Sequence, residues 1–176
     1  MELLAAAAEA GVAMREEDDR LLCYPSVLRL LPGDLAVEID HRRERRLRPS
    51  EVVRLLQRAQ QAGPRFRPQP FLASLLAAYD LVLARQDKSS GAVVKLHDVY
   101  GVLTLLPGQT RNYSRQEFAR DLYLLDESRE RAIRGRRLRL SGSTGTRQAG
   151  VLTTVARSGQ QQRYWRVAFD DEEATA

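Results

Sequence analysis

The side chains that could support catalysis are few and scattered along the chain. Glu38 and Asp40 are two residues apart in LAVEID. On a strand they would share one face, where paired carboxylates can hold Mg²⁺. No lysine follows at the spacing that nuclease motifs use, and no second acidic cluster stands where it could complete such a site. We therefore interpret the pair as an exposed strand end, in preference to a nuclease site.

The other reactive residue types indicate a protein without catalysis, cofactor or metal. His41 and His97 are the only histidines, and neither has a Glu or His companion at helical spacing, so no metal site is expected. Cys23 is the only cysteine, which excludes an internal disulfide and a cysteine-based zinc site. The Gly-rich stretch SGSTGTRQAG (141–150) lacks the Gly-Lys-Ser/Thr ending of a phosphate-binding loop, and we interpret it as a connector.

Positive charge is a stronger signal than any catalytic motif. The 176 residues carry a formal net charge of +5, with a pI of about 9.8, which favours an anionic partner. Only two of the 28 basic residues, Lys88 and Lys95, are lysines. Such an arginine bias is typical both of phosphate binding and of a GC-rich genome, so the positions of the arginines must decide.

The N-terminal residues MELLAAAAEAGVAMREEDD lack the basic region and the long apolar run of a signal peptide. No later apolar stretch is long enough to span a bilayer. We therefore expect a bacterial, cytoplasmic protein that does not bind membranes. If it binds DNA, we expect it to be associated with the nucleoid.

The N-terminal part of the chain predicts a small α+β region. Residues 1–19 are Ala-rich, then acidic, and are interpreted as a frayed segment. In residues 20–69, two extended runs flank Pro32-Gly33-Asp34 and predict a hairpin. The charge run HRRERRLR (41–48) follows, and then a helix that begins at Pro49 and stops at Gly63-Pro64. We expect residues 20–69 to serve in docking or dimerisation.

Residues 70–169 predict the order helix, strand, helix, turn, helix, strand, strand, followed by an acidic tail over residues 170–176. The first helix, from Pro70, is marked by apolar residues at three-four spacing, and Asp98 is expected to cap the second. This order, with its turn before the third helix and its terminal hairpin, resembles the winged-helix superfamily. The fold class expected is therefore α+β, a winged-helix C-terminal module with a small N-terminal hairpin and helix region.

The third helix, over residues 114–127, has the best-defined start in the chain. Ser114 and Glu117 have the spacing of a capping box, and Tyr113 and Phe118 that of a hydrophobic staple. At 100° per residue, Phe118 falls on one side with Leu122 and Leu125, which predicts the face toward the core.

The resemblance implies that this helix enters the DNA major groove. Its opposite side carries Gln116, Arg120, Tyr123 and Glu127, with Arg115 at the flank. Arg can pair with guanine and Gln with adenine, while Tyr can reach phosphate. The alternative is a solvated or protein-binding face, since the acidic residues in the segment would repel phosphates.

Two further segments complete the predicted DNA interface. The run RERAIRGRRLRL should lie beside the DNA backbone, and the hairpin TVARSGQQQRYWR should act as the wing. From them we select the following residues: Arg134, Arg136, Arg137, Arg157, Gln160, Gln161 and Arg163. A solvated arginine run is the alternative for the first segment.

The sequence therefore predicts a non-enzymatic winged-helix protein that binds duplex DNA, as a transcriptional regulator or a DNA-bound accessory factor. The alternative is a protein-docking winged-helix subunit of a multi-protein complex, such as a chromosome-structuring ATPase. A homodimer or another protein partner is open in both cases.

Overall fold

The computed structural model describes residues 2–142 and 148–172, which combine helices with antiparallel sheets in an α+β fold. They divide into two compact units. The N-terminal unit takes the described part of Met1–Arg65 together with Thr154–Gln162, and the C-terminal unit takes the described part of Phe66–Thr153 and Arg163–Ala176. The sequence interpretation put the boundary four residues later and assigned all of residues 154–162 to the C-terminal module. Residues 143–147 of the Gly-rich connector and residues 173–176 of the acidic tail lie outside the described residues.

The N-terminal unit contains a five-stranded antiparallel sheet in which the strands follow one another in chain order. The strands are β1 (Arg15–Glu17), β2 (Arg20–Cys23), β3 (Ser26–Leu31), β4 (Ala36–Ile39) and β5 (Arg42–Glu44). The predicted hairpin is confirmed as β3 and β4, which are joined by a 3-10 turn at Pro32–Asp34.

Strand β5 was not predicted, because the charge run that contains it has no apolar face. It pairs with β4 through a two-residue turn at Asp40 and His41, whose φ angles are 47° and 66°. Positive φ at both central residues is the geometry that suits a tight hairpin. Asp40 also accepts a hydrogen bond from the backbone N–H of Val27 at 3.1 Å, which holds the turn against β3.

Two helices, α1 (Glu2–Glu9) and α2 (Pro49–Ala62), pack together in the same unit. The start of α2 at Pro49 and its end before Gly63 are confirmed. Helix α2 buries Val52, Val53 and Leu56 in a core that it shares with Leu28 and Val37 of the sheet. A separate small cluster joins Leu22 and Val27 to Val155, from the hairpin tip that belongs to this unit.

The C-terminal unit places helices against a small sheet. Its helices are α3 (Pro68–Arg85), α4 (Leu96–Leu103), α5 (Gln109–Asn112) and α6 (Arg115–Ser128). The strands are β6 (Val94–Lys95), β7 (Ala132–Ile133), β8 (Arg136–Ser141) and β11 (Arg166–Asp171), while β9 (Leu152–Val155) and β10 (Gln161–Tyr164) belong partly to each unit. Four of the strands pair antiparallel in the order β6-β11-β8-β7, while β9 and β10 pair with each other.

Three predicted details of this unit differ in the structure. Helix α3 begins two residues early, at Pro68, because proline fits the first turn of a helix. Asp98 lies inside the first turn of α4, where it accepts a hydrogen bond from Gln86, and so does not cap the helix. The polar turn QTRN forms the short helix α5.

The start of α6 is confirmed. The Ser114 hydroxyl accepts a hydrogen bond from the backbone N–H of Glu117 at 3.2 Å, and the Glu117 carboxylate accepts one from the backbone N–H of Ser114 at 2.7 Å. The rings of Tyr113 and Phe118 lie 6.2 Å apart, as a hydrophobic staple requires. Phe118, Leu122 and Leu125 are buried in the main core of the unit, also as predicted.

Candidate nucleic-acid interface

Helix α6 does not present the polar face that the sequence predicts. Gln116 is only 6% exposed, so its amide is not available to an adenine. The helix is enclosed on several sides, and these are its buried residues: Gln116, Glu117, Phe118, Ala119, Leu122, Leu124 and Leu125. Helical periodicity correctly identifies the deepest face but not how far the surrounding protein covers the others. The prediction of a base-reading role for Gln116 therefore fails on accessibility.

The Arg120 side chain forms an ion pair with Asp121, the next residue of the same helix. Its side chain is 20% exposed, and its Nε donates to the Asp121 Oδ1 at 3.0 Å. The Tyr113 hydroxyl donates to the other carboxylate oxygen at 2.8 Å. Burial raises the pKa of Asp121, and the adjacent Arg120 guanidinium opposes that rise. Arg120 thus stabilises the charged form of an enclosed Asp121, which contradicts its prediction as an outward reading residue.

The remaining two predicted residues of α6 are half-buried. The Tyr123 hydroxyl donates to the Glu127 carboxylate at 2.9 Å, one helical turn later. The Arg115 Nε is buried and has no hydrogen-bond partner within residues 2–142 and 148–172. Taken with Gln116 and Arg120, these positions leave α6 without an exposed basic stripe.

Arg136, predicted to contact phosphate, is a structural residue of the C-terminal unit. Its side chain is 16% exposed, and its guanidinium donates to Asp80 at 2.7 Å and to the Ser90 hydroxyl at 3.2 Å. The guanidinium carbon lies 5.5 Å from the ring centre of Tyr79 and 5.8 Å from that of Phe169. Because these contacts fix Arg136 between two aromatic rings and an aspartate, it cannot also extend toward DNA.

The neighbouring arginines are paired with acidic residues that are distant in sequence. Arg139 donates two hydrogen bonds to Asp170, at 2.9 and 3.2 Å, and this guanidinium lowers the pKa of Asp170. Arg137 lies 3.8 Å from the Glu172 carboxylate. Arg134, in the turn between β7 and β8, is exposed, and the described part of the chain gives it no ion-pair partner. Of the predicted phosphate contacts in this segment, Arg134 and Arg137 are exposed and Arg136 is not.

The predicted wing tip belongs to the N-terminal unit. Ser158-Gly159 does form its turn, with Gly159 at φ +84°. The Arg157 guanidinium donates to the Tyr24 hydroxyl at 3.1 Å and lies 5.5 Å from the centre of that ring. Arg157 is thereby held by a residue of its own unit, while Gln160 at the turn is exposed. Two further residues selected for the wing, Gln161 and Arg163, are half-buried in β10.

The structure instead brings cations together on one face of the four-stranded sheet. Val167 and Phe169 of β11 face the core, so the alternate residues Arg166 and Asp170 face outward. The register pairs Arg166 with Lys95 of β6, and Asp170 with Arg137 of β8. We call the outward surface formed by the following side chains the outer sheet face: Lys95, Arg137, Arg139 and Arg166. These four side chains are exposed.

Sequence reasoning selected only Arg137 of these four residues. The alternation of Arg and Leu in β8 could have indicated Arg139. Lys95 and Arg166 could not be found, because their association depends on the pairing of two strands in which they are 71 residues apart in the chain. Arg166 also lies over the half-buried Trp165, with 3.7 Å between its guanidinium carbon and the centre of the indole. That stacking holds the Arg166 side chain along the sheet.

Of the residues considered for catalysis, Cys23, Glu38, Asp40 and His41 belong to the N-terminal unit, and His97 lies in α4. Cys23 is buried in the N-terminal unit, and burial raises the pKa of its thiol to about 11. Within the described ranges, no group of three or more His, Cys, Asp or Glu side chains is close enough to hold a metal ion. In the same residues, the structure contains no helix that is both long and apolar enough to cross a membrane.

Comparisons with known proteins leave the interface to be judged on its own geometry. No protein-family model matches the chain. No curated protein and no solved structure is significantly similar to it.

Proposed function

We propose that the protein is a non-enzymatic DNA-binding protein with a winged-helix type of C-terminal unit, acting as a transcriptional regulator or a DNA-bound accessory factor. The order of elements supports this proposal. Helix α3, strand β6, helix α4 and helix α6 are followed by β8 and β11, and β6 pairs with the last strand. The three longer helices and three of the four strands of the sheet thus follow the order that is typical of winged-helix domains.

The observation that carries the proposal is the outer sheet face. Its four cations lie on adjacent strands. Arg139 pairs with Asp170 and Arg137 lies 3.8 Å from Glu172, whereas Lys95 and Arg166 have no ion pair within the described residues. Exposed Arg and Lys side chains bind DNA phosphates with release of counterions, whatever the base sequence. Since Gln116 and Arg120 are engaged within the protein, we expect α6 to add no base contacts to this binding.

Replacing Lys95 and Arg166 with glutamine should weaken binding to a duplex of mixed sequence roughly tenfold at low salt. The logarithm of the binding constant falls linearly with the logarithm of the salt concentration, and loss of two phosphate contacts should make this slope less negative by about 1.8. Fluorescence anisotropy titrations of labelled DNA at several salt concentrations measure both quantities. The matched control is R85Q/K88Q, which removes the same charge from exposed positions around the end of α3. Equal weakening in both double variants would contradict a role for the outer sheet face.

A second candidate function, protein docking, is favoured by one specific feature. Leu105 and Leu106, in the loop between α4 and α5, are 76% and 67% exposed. Two adjacent leucines in water leave apolar surface whose burial against a partner would contribute about 25 cal/mol per Å². The chain would then be a docking subunit of a multi-protein complex or form a homodimer, and the outer sheet face would meet acidic protein residues.

The homodimer version predicts concentration-dependent self-association that the variant L105S/L106S abolishes. Sedimentation velocity over a range of protein concentrations measures the association. Both leucines are exposed, so the double variant should unfold at nearly the same temperature as the parent protein. A parent protein that sediments as a monomer at every concentration would contradict self-docking through this loop.

A further inference from the structure

A second basic surface lies in the N-terminal unit, on the exposed side of α2. Arg54, Gln57, Arg58 and Gln61 occupy positions i, i+3, i+4 and i+7 of the helix, so they form one stripe along it. Arg54, Arg58 and Gln61 are exposed and Gln57 is half-buried. The opposite side of the helix is fixed in the core through Val52, Val53 and Leu56. We call the stripe the α2 surface.

The chain that leads into α2 adds further positive charge. The arginines of β5, of the connection and of α2 are Arg42, Arg43, Arg45, Arg46, Arg48, Arg54 and Arg58. Their partners are few: Arg43 lies 3.2 Å from Asp34, Arg46 lies 3.4 Å from Glu44, and Arg54 lies 3.1 Å from Glu51.

The other four arginines of this set have no ion pair within the described residues. They are Arg42, Arg45, Arg48 and Arg58. The segment from β5 to α2 therefore keeps an excess of exposed cations. The segment after α6 differs, since Arg131, Arg136, Arg137 and Arg139 are all paired with carboxylates.

We propose that α2 is the helix that enters the major groove of duplex DNA, while the arginines of β5 and the connection contact phosphates beside it. The α2 surface runs for about 10 Å along the helix, at 1.5 Å per residue, which corresponds to about three base pairs. The major groove admits an α-helix, and Arg and Gln match guanine and adenine there through paired hydrogen bonds. This inference rests on the proposed function in taking duplex DNA as the ligand, but it assigns base contacts to another unit.

The composition of the α2 surface favours DNA over other anionic partners. An acidic protein requires only cations, whereas glutamines between arginines supply both donors and acceptors for base edges. A membrane surface would require apolar side chains on the exposed side of the helix. The apolar side chains Val52, Val53 and Leu56 of α2 are instead buried in the core, and the four residues of the α2 surface are all polar.

The test replaces Arg54 and Arg58 with glutamine in the full chain. Binding to a labelled duplex of mixed sequence should weaken roughly tenfold at low salt. The slope of the logarithm of the binding constant against the logarithm of the salt concentration should become less negative by about 1.8. Methylation of guanine N7 by dimethyl sulfate probes the major groove directly. The parent protein should protect N7, and R54Q/R58Q should lose that protection. The control R85Q/K88Q should behave like the parent protein, and all three proteins should have similar unfolding temperatures, because the altered side chains are exposed.

The outcomes separate this inference from the proposed role of the outer sheet face. If R54Q/R58Q weakens binding and K95Q/R166Q does not, the inference stands and the outer sheet face is not the DNA site. If R54Q/R58Q binds and protects DNA like the parent protein, the inference is overturned whatever K95Q/R166Q does. Undiminished N7 methylation in the complex with the parent protein would overturn groove insertion. Equal competition by polyglutamate at matched charge would overturn it too, in favour of an acidic protein partner.

Discussion

Replacing Phe118 with alanine should lower the free energy of unfolding of the C-terminal unit by roughly 3–5 kcal/mol. Phe118 has no exposed surface and lies in the main core of the unit. Its ring centre is 5.6 Å from that of Tyr100, 6.2 Å from Tyr113 and 6.3 Å from Phe71. Truncation would therefore remove three aromatic contacts as well as apolar burial, and leave a cavity that these rings can fill only in part.

Urea unfolding followed by tryptophan fluorescence measures this change, since the single tryptophan, Trp165, belongs to the same unit. The control is Phe66→Ala, because Phe66 is only partly buried at the margin of the same cluster and should cost less. A loss below about 1 kcal/mol for Phe118→Ala, or equal losses for the two variants, would contradict the packing described for α6.

Replacing Arg136 with alanine should destabilise the same unit by about 2 kcal/mol. The substitution removes the hydrogen bonds to Asp80 and Ser90 and the stacking of the guanidinium on Tyr79 and Phe169. The Asp80 side chain is half-exposed, so water can hydrate its carboxylate after Arg136 is removed. The loss of stability should therefore be smaller than that caused by breaking a buried ion pair.

Arg137→Ala is the matched control, since its side chain is the next in the same strand and is mostly exposed. We expect a change within about 0.5 kcal/mol, because its ion pair with Glu172 is long and solvated. Measurement by urea unfolding, as for Phe118, distinguishes a structural from a DNA-contacting arginine. Equal stability of the two variants would mean that Arg136 is free for the phosphate contact that the sequence predicts.

The start and the core face of α6 could be predicted because they depend on residues within about two helical turns of one another. The hydrogen bonds of the capping box connect positions three apart, and the staple connects Tyr113 to Phe118. Burial of Gln116 could not be predicted in the same way. The periodicity of apolar residues shows which face of a helix is the most apolar. Whether another face, such as the one that carries Gln116, is also buried depends on elements that are distant in sequence.

The two arginine-rich segments, residues 131–139 and HRRERRLR, likewise have contacts that depend on residues distant in the chain. In the run from Arg131 to Arg139, four of the five arginines are paired with carboxylates, which belong to Asp80, Asp126, Asp170 and Glu172. Three of these four partners are 31 residues or more away from the arginines they meet. The run around HRRERRLR has no apolar periodicity, and its strand β5 forms because a tight turn at Asp40 and His41 brings it alongside β4.

The amino-acid order alone determined the features that act over a few residues: the excess of arginine, the limits of α2, the cap of α6 and the apolar faces of the long helices. The tertiary structure decided which cations are exposed on a common surface. An ion pair or a sheet register joins positions that are far apart in the chain, and neither leaves a periodic signal. Lys95 and Arg166 share a face because β6 and β11 pair. The Arg136 side chain is held within the C-terminal unit because it binds Asp80 of α3.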